Sequence, residues 1–195
     1  MGPMTTGLHR SIRRKYRRVA ERAAGHFVYP VGRRSALRLG YRAGWLEGIP
    51  PGIVSRFVGV GNPFSIRRPA RGGVVLDLGC GCGMDVLVAA RLVGPRGAVA
   101  GIDLTPQMLV PARRAAARRP NVTFIEGNVE TLPFETGTFD LAISNGVLNL
   151  APDKDAAYRE IRRVLRPGGI LAVADLLVVE TIPPETLAGM DAWSS

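Results

Sequence analysis

Two acidic residues that each close an apolar run, and a turn with glycine at every second position, are the side chains whose types and spacing could do chemistry. The run Val74-Val75-Leu76-Asp77-Leu78 leads into Gly79-Cys80-Gly81-Cys82-Gly83, and a second run ends at Ile102-Asp103. Glycines in a strand-to-helix turn let backbone come close to a ligand. The helix that follows offers free N–H groups and a partial positive charge at its start. An acid ending the neighbouring strand is placed to accept both hydroxyls of a ribose. This is the layout of a nucleoside-binding βαβ unit.

The spacing decides between cofactors. A dinucleotide fingerprint reads G-x-G-x-x-G and needs glycine at position 84, where Met84 stands. With no pyrophosphate to cradle, the turn suits the amino-acid end of S-adenosylmethionine, and Asp77 supplies an acceptor near its ammonium group. No Tyr-x-x-x-Lys pair occurs, which argues further against an oxidoreductase. Glu126-Gly127-Asn128-Val129-Glu130 follows the third apolar run, where an adenine contact belongs. Leu165-Arg166-Pro167-Gly168-Gly169 precedes the fifth.

Such residues need a scaffold that gathers strand ends. The pattern predicts strands over 74–78, 98–103, 122–126, 139–144 and 170–175, with helices near 83–93, 106–118 and 153–165 between them. Strands alternating with helices imply a parallel sheet covered on both faces, an α/β, Rossmann-like doubly wound fold. Thr105 can cap the second of these helices, with Pro106 in its first turn. Pro167-Gly168-Gly169 reads as a turn. Upstream, residues 8–24 form an amphipathic helix with Ile12, Tyr16, Val19 and Ala23 at helical spacing, and Gly25 can end it. Residues 25–72 read as short helices and loops, with Trp45, Leu46, Ile49, Ile53, Val54 and Phe57 packing onto the core. The domain reading is a basic helical arm and cap over 1–72 and a cofactor-binding domain over 73–195.

The 195 residues suffice for one domain with a sizeable core. The net charge of +10 is local: residues 1–44 hold 11 Arg and Lys against one acid, and residues 45–195 hold 15 of each sign. Lys15 and Lys154 are the only lysines. Arginine preference can reflect phosphate or carboxylate recognition, but a GC-rich coding sequence gives the same bias and is the favoured reading. No apolar run approaches the ~20 residues of a membrane span, and no secretory signal follows the Arg-rich start. The expectation is a cytoplasmic protein with no membrane partner. Two cysteines one residue apart make no disulfide framework.

The segments at 75–83, 101–103, 126–134 and 164–169 resemble the class I S-adenosylmethionine-dependent methyltransferases. By that resemblance Gly79, Gly81 and Asp103 bind the methionine and ribose parts of the cofactor. Asn128 faces the adenine amine, and the Val129 backbone N–H faces the ring. The family more often has Asp at 128, and Asn still accepts through its carbonyl oxygen. Asp77, Cys80, Leu104 and Asn145 complete the candidate cofactor set. A closer resemblance is to the arsenite methyltransferases, through Arg14-Lys15-Tyr16, Gly59-Val60-Gly61-Asn62-Pro63, Asp103-Leu104-Thr105-Pro106-Gln107-Met108 and 144–154. Those enzymes hold trivalent arsenic with cysteine thiolates. Their cysteines would stand at positions 60 and 146, here Val60 and Gly146, and just past Ser195. The resemblance therefore implies a related enzyme with a different acceptor or a lost metalloid site.

Cys80 and Cys82 lie in the cofactor turn, where small packing residues suffice. No catalytic base and no metal ligand is assigned: His9 and His26 read as surface or packing residues, and Asn62, Asn145 and Asn149 either orient an acceptor or cap turns. The superfamily sheet closes with two further strands, which this sequence is expected to lack, so a partner, an oligomer or a missing C-terminal segment is expected to cover the fifth-strand edge. The leading function is methyl transfer to a small molecule. A cofactor-binding protein without turnover is the second reading. A nucleic-acid methyltransferase tethered by the basic arm is the third, disfavoured because Ser144-Asn145-Gly146-Val147 is unlike the proline-proline-aromatic motif of base-methylating enzymes.

Overall fold

Strand β1 (Val74–Leu78) is paired on both sides, and four of its five residues are buried. A strand in that position must be apolar on both faces, which is why its sequence is a continuous run and not an alternation. The computed structural model describes residues 3–176. Around β1 lie β2 (Ala98–Asp103), β3 (Val122–Glu126), β4 (Phe139–Asn145) and β5 (Leu165–Ala174). All pairs are parallel, in the order β3-β2-β1-β4-β5. The chain runs outward from β1 to β3, then returns to the other side of β1. The crevice at the carboxyl ends of β1 and β4 is therefore a topological switch point, where open α/β sheets bind ligands.

The helices are α1 (Pro3–Glu21), α2 (Gly32–Arg38), α3 (Ala43–Leu46), α4 (Pro51–Val54), α5 (Pro63–Ile66), α6 (Met84–Val93), α7 (Pro106–Ala115) and α8 (Lys154–Val164). One face of the sheet packs α6, α7 and the cap helices; Val75 and Ile143 share a core there with Leu46, Ile53, Phe57 and Phe64. The opposite face sends Leu76, Leu78 and Ala142 against Ala157, Ile161 and Val164 of α8. The cap residues read from the sequence behave as expected: Leu46, Ile49, Ile53, Val54 and Phe57 are buried, and Trp45 packs edge-on to Phe64.

Four local readings are corrected. The first helix spans Pro3–Glu21, not 8–24, and Gly25 does not end it. Instead Arg56 donates from Nε to the Ala20 carbonyl (2.6 Å) and from Nη2 to that of Glu21 (3.1 Å). A cation at the last carbonyls of a helix does the capping that glycine was expected to do. Helix α7 stops at Ala115. Thr105 makes no side-chain cap to it. The last strand begins at Leu165, not 170. Phe139 pairs with Leu165 and Leu141 with Ile170, so Arg166-Pro167-Gly168-Gly169 bulges out opposite Asp140 as an interruption within the strand. The expectation that two closing strands are lacking after β5 falls on residues outside the described ones.

Ile143 is fully buried in β4 directly beside Asp77 of β1. Ile143→Ala is expected to destabilise the protein by about 2–5 kcal/mol through lost burial and the cavity left behind, read as a lowered urea midpoint.

Candidate functional site

A cleft opens over the carboxyl ends of β1, β2, β3 and β4. Gly79, Gly81, Asp103, Leu104, Asn128, Val129 and Asn145 all line it. A smaller hollow adjoins it under the glycine turn and is lined by Asp77, Cys80 and Asp85, with Gly79, Gly81 and Asn145 shared between the two. The structure thus brings every residue of the sequence-derived set to one place. Asp77 and Cys80 sit beneath the turn and not in the main cleft.

The turn is held by Asp103. Its Oδ2 accepts from the Gly81 N–H (2.8 Å) and its Oδ1 from the Thr105 N–H (2.8 Å). Gly79, Gly81 and Gly83 all have positive φ, of 66°, 53° and 85°. A Cβ on Gly79 would drive into the Val147 side chain, whereas one on Gly81 would meet nothing nearer than the Met108 methyl at 3.6 Å. The backbone at Gly81 is therefore open to the cleft, as close approach to a ligand requires. Burial pushes the Asp103 carboxyl up to about 6, although the two N–H donors favour its charged form.

Beneath the turn, Asp77 and Asn145 are joined by two polar side chains that the sequence does not single out, Asp85 and Tyr41. Asp85, in the first turn of α6, is buried and accepts from the Tyr41 hydroxyl (2.7 Å) and from Asn145 Nδ2 (3.1 Å). Asn145 Nδ2 also lies 3.1 Å from the Tyr41 oxygen and 3.0 Å from the Gly61 carbonyl. Its Oδ1 accepts from the N–H groups of Val60 (2.9 Å) and Gly61 (3.1 Å). The last residue of β4 thus fastens loop 59–61 to the sheet. Asp77 is 2% exposed, and its Oδ2 has no partner. Burial, with Asp85 and Asp103 nearby, holds the Asp77 carboxyl well above its ordinary value; burial raises Asp85 to about 6. Two carboxyls lie under one turn, Asp77 with an oxygen free of any partner, in a hollow that Arg56 also lines. An acid in a first helical turn reads from sequence as a solvent-facing partner of the helix dipole, so Asp85 carried no signal.

Helix α1 forms the roof. His9, Ile12 and Tyr16, three and four residues apart on one face, line the cleft. The spacing of Ile12 and Tyr16 signals that face; His9, one turn earlier, reads from sequence as a surface or packing residue and lines the cleft instead. His9 Nε2 is 3.5 Å from Glu130 Oε2. Asn62 is a cap, its Oδ1 accepting from the Phe64 N–H at 3.1 Å, and Asn149 is not among the residues lining the cleft. Cys80 and Cys82 are both buried. Burial pushes the Cys80 thiol well up and that of Cys82 to about 12, so neither is a ready thiolate.

Positions 60 and 146, 86 residues apart in sequence, meet in the structure. A Cβ added to Gly146 would lie 3.5 Å from both Val60 methyls. Gly146 has φ of 74°, a conformation that side-chain-bearing residues avoid.

Residues 69–194 match a family model described as a methyltransferase domain. The chain belongs to the class I S-adenosylmethionine-dependent methyltransferases, on their arsenite methyltransferase-like branch. It is 40% identical over 168 residues to an arsenite methyltransferase of Halobacterium salinarum, covering 81% of this chain and 42% of that protein. It is 40% identical to an arsenite methyltransferase of Aquipseudomonas alcaligenes, covering 67% of this chain and 40% of that protein. The solved arsenic(III) S-adenosylmethionine methyltransferase of Chlamydomonas reinhardtii aligns at 38% identity with a TM-score of 0.62, over 81% of this chain and 53% of that one. The chain spans about two fifths of the length of these curated relatives. Among the described residues, no helix is long and apolar enough to cross a membrane. The cofactor of this family is S-adenosylmethionine, and the site's features fit it: an open glycine turn, an unpartnered buried carboxylate oxygen for an ammonium group, and an acid at the end of β2.

Two tests follow from this geometry. The unfolded chain releases the Asp103 proton near 3.8 and the folded protein near 6. Between those values the native state binds the proton more tightly, so stability falls as pH rises from about 4 to about 6. In thermal melts, Asp103→Asn is expected to flatten that decline, by on the order of 2–3 kcal/mol. Asn145→Ala leaves the Val60 and Gly61 N–H groups and Asp85 short of a partner, at about 1–3 kcal/mol for each unsatisfied group. Hydrogen exchange should show the loop at 59–61 opening first.

Proposed function

We propose that the chain binds S-adenosylmethionine in the cleft and serves methyl transfer to a small molecule other than arsenite. The observation that carries this reading is the convergence of Gly79, Gly81, Asp103 and Asn128 on one cleft at the sheet's switch point. Asp77 takes the ammonium group, and the backbone of the glycine turn lies against the carboxylate of the methionine part. Asp103 keeps lone pairs beyond those used by Gly81 and Thr105, and these accept the ribose hydroxyls. Leu104 and Val129 flank the base, and Asn128 reads its edge. When bound, the cofactor supplies a methyl group on a sulfonium, already activated for displacement.

The protein's part is alignment and exclusion of water. Asn145 holds loop 59–61 in place, and α1 closes the cleft with His9, Ile12 and Tyr16. The altered acceptor reading rests on Val60 and Gly146. Two thiolates on neighbouring backbone would grip a soft metalloid; a valine and a glycine cannot. Nor is the exchange a simple loss of sulfur, since the left-handed backbone at 146 disfavours any side chain there.

Calorimetric titration tests both parts. S-adenosylmethionine is expected to bind the protein, and Asp103→Ala to weaken binding about a hundredfold through the loss of two hydrogen bonds to a charged group. A panel of acceptors that includes arsenite is expected to show turnover with an organic acceptor and none with arsenite. Arsenite turnover would reject the altered site. Binding without turnover on the whole panel would favour the silent, cofactor-binding reading.

A further inference from the structure

We propose that Glu130 is a positioning residue that sets the base specificity of the cleft, by locking the side-chain amide of Asn128 in one orientation. The proposal rests on the reading of this cleft as the cofactor site, and it concerns a residue that touches no ligand itself.

Glu130 is 6% exposed, and its carboxylate can only accept hydrogen bonds when ionised. Oε2 accepts from Asn128 Nδ2 at 2.9 Å, while the backbone N–H of Glu130 donates to Asn128 Oδ1 at 3.1 Å. One residue therefore grips both ends of one amide, with opposite polarity. Rotating that amide by half a turn would set its oxygen against a carboxylate and its NH2 against an N–H. Both hydrogen bonds would be lost and two repulsions gained. The clamp is itself anchored: Oε1 accepts from the Asp153 N–H at 2.8 Å, and His9 of α1 stands 3.5 Å from Oε2. The Asn128 carbonyl also accepts from the Thr131 N–H at 3.1 Å, which fixes the backbone of the turn.

After these bonds, Asn128 has one N–H and one oxygen lone pair left for a base, in a fixed order. A 6-aminopurine presents a donor at its amine and an acceptor beside it. A 6-oxopurine presents the reverse. A freely rotating amide serves either base, and a locked amide serves one. The locked form selects adenine over hypoxanthine, and Glu130 holds the lock.

The full chain is titrated with S-adenosylhomocysteine and with its inosine counterpart. The wild type is expected to prefer the adenine ligand by about tenfold or more, the cost of leaving one polar edge unpaired. In Glu130→Gln the side-chain amide can donate as well as accept, and the backbone N–H at 130 is left as the one fixed partner of the Asn128 amide, so the preference should fall about threefold or more. Asn128→Ala removes the group that reads the base, so the preference should fall to near one there, and Glu130→Gln added to it should change the ratio no further. If Glu130→Gln lowers both affinities by the same factor and keeps the ratio, Glu130 is merely structural and the proposal is overturned. If that variant fails to fold, as judged by circular dichroism, Glu130→Asp, which keeps an acceptor but draws it back by one carbon, decides: a lowered ratio supports the lock and a wild-type ratio refutes it. A wild type that binds both ligands equally defeats this proposal alone. A folded wild type that binds neither defeats the cofactor reading on which it rests.

Discussion

The side chain of Asn145 is the joint on which the site depends. It ends β4 at the switch point of the sheet, and its oxygen takes the N–H groups of Val60 and Gly61. Its NH2 faces Tyr41, Asp85 and the Gly61 carbonyl. A half-buried amide that satisfies a loop, a helix-borne acid and a tyrosine together converts three separate segments into one wall. The Gly59 backbone passes so close to this amide that any side chain at 59 would collide with it and with the Phe57 ring. Without that joint, the cap would keep other polar ties to the sheet layer, among them Tyr41 to Asp85 and Arg91 to the Glu47 carbonyl, but none that fastens loop 59–61 to β4 through a side chain.

Electrostatics sharpens the same region. Asp77 and Asp85 are buried and Asp103 is half-buried around the glycine turn, and desolvation raises each above its ordinary value. Their desolvation is a cost that the fold carries in order to hold acceptors without water. A ligand with an ammonium group and ribose hydroxyls supplies the charge and donors these acids lack. Within the proposed function, folding and binding are therefore opposed at one place: the arrangement that strains the ligand-free protein is the one that rewards the cofactor.

The roof and the acceptor side tell a different story from the floor. Floor residues lie on strand ends and in turns set by strand geometry. The roof is α1, whose ties to the floor include His9 with Glu130 and Arg13 with Glu126 (3.6 Å). The excess positive charge of the chain lies within the first 44 residues, where Arg13, Arg14, Arg17 and Arg18 are exposed on α1 while Ile12, Val19 and Ala20 turn inward. Charge therefore marks the outer face of the roof, and the inner face is where the cleft gains its apolar lining.

The sequence alone determined the strands and the cofactor turn, because continuous apolar runs, a Gly-x-Gly-x-Gly turn and an acid closing a strand are local signals with local causes. Asp77, Gly79, Gly81, Asp103 and Asn128 were legible for that reason. It could not show that Asp85 points inward to Tyr41 and Asn145, that Arg56 and not Gly25 finishes α1, or that Glu130 grips Asn128 under His9. Each of those depends on groups tens of residues apart meeting once the sheet is wound and the cap laid over it. The same holds for Val60 and Gly146, which the chain separates by 86 positions and the fold sets in contact. Residue type and spacing decide which elements form; only the packed structure decides which polar groups lose water together, and that shared desolvation is what makes a site.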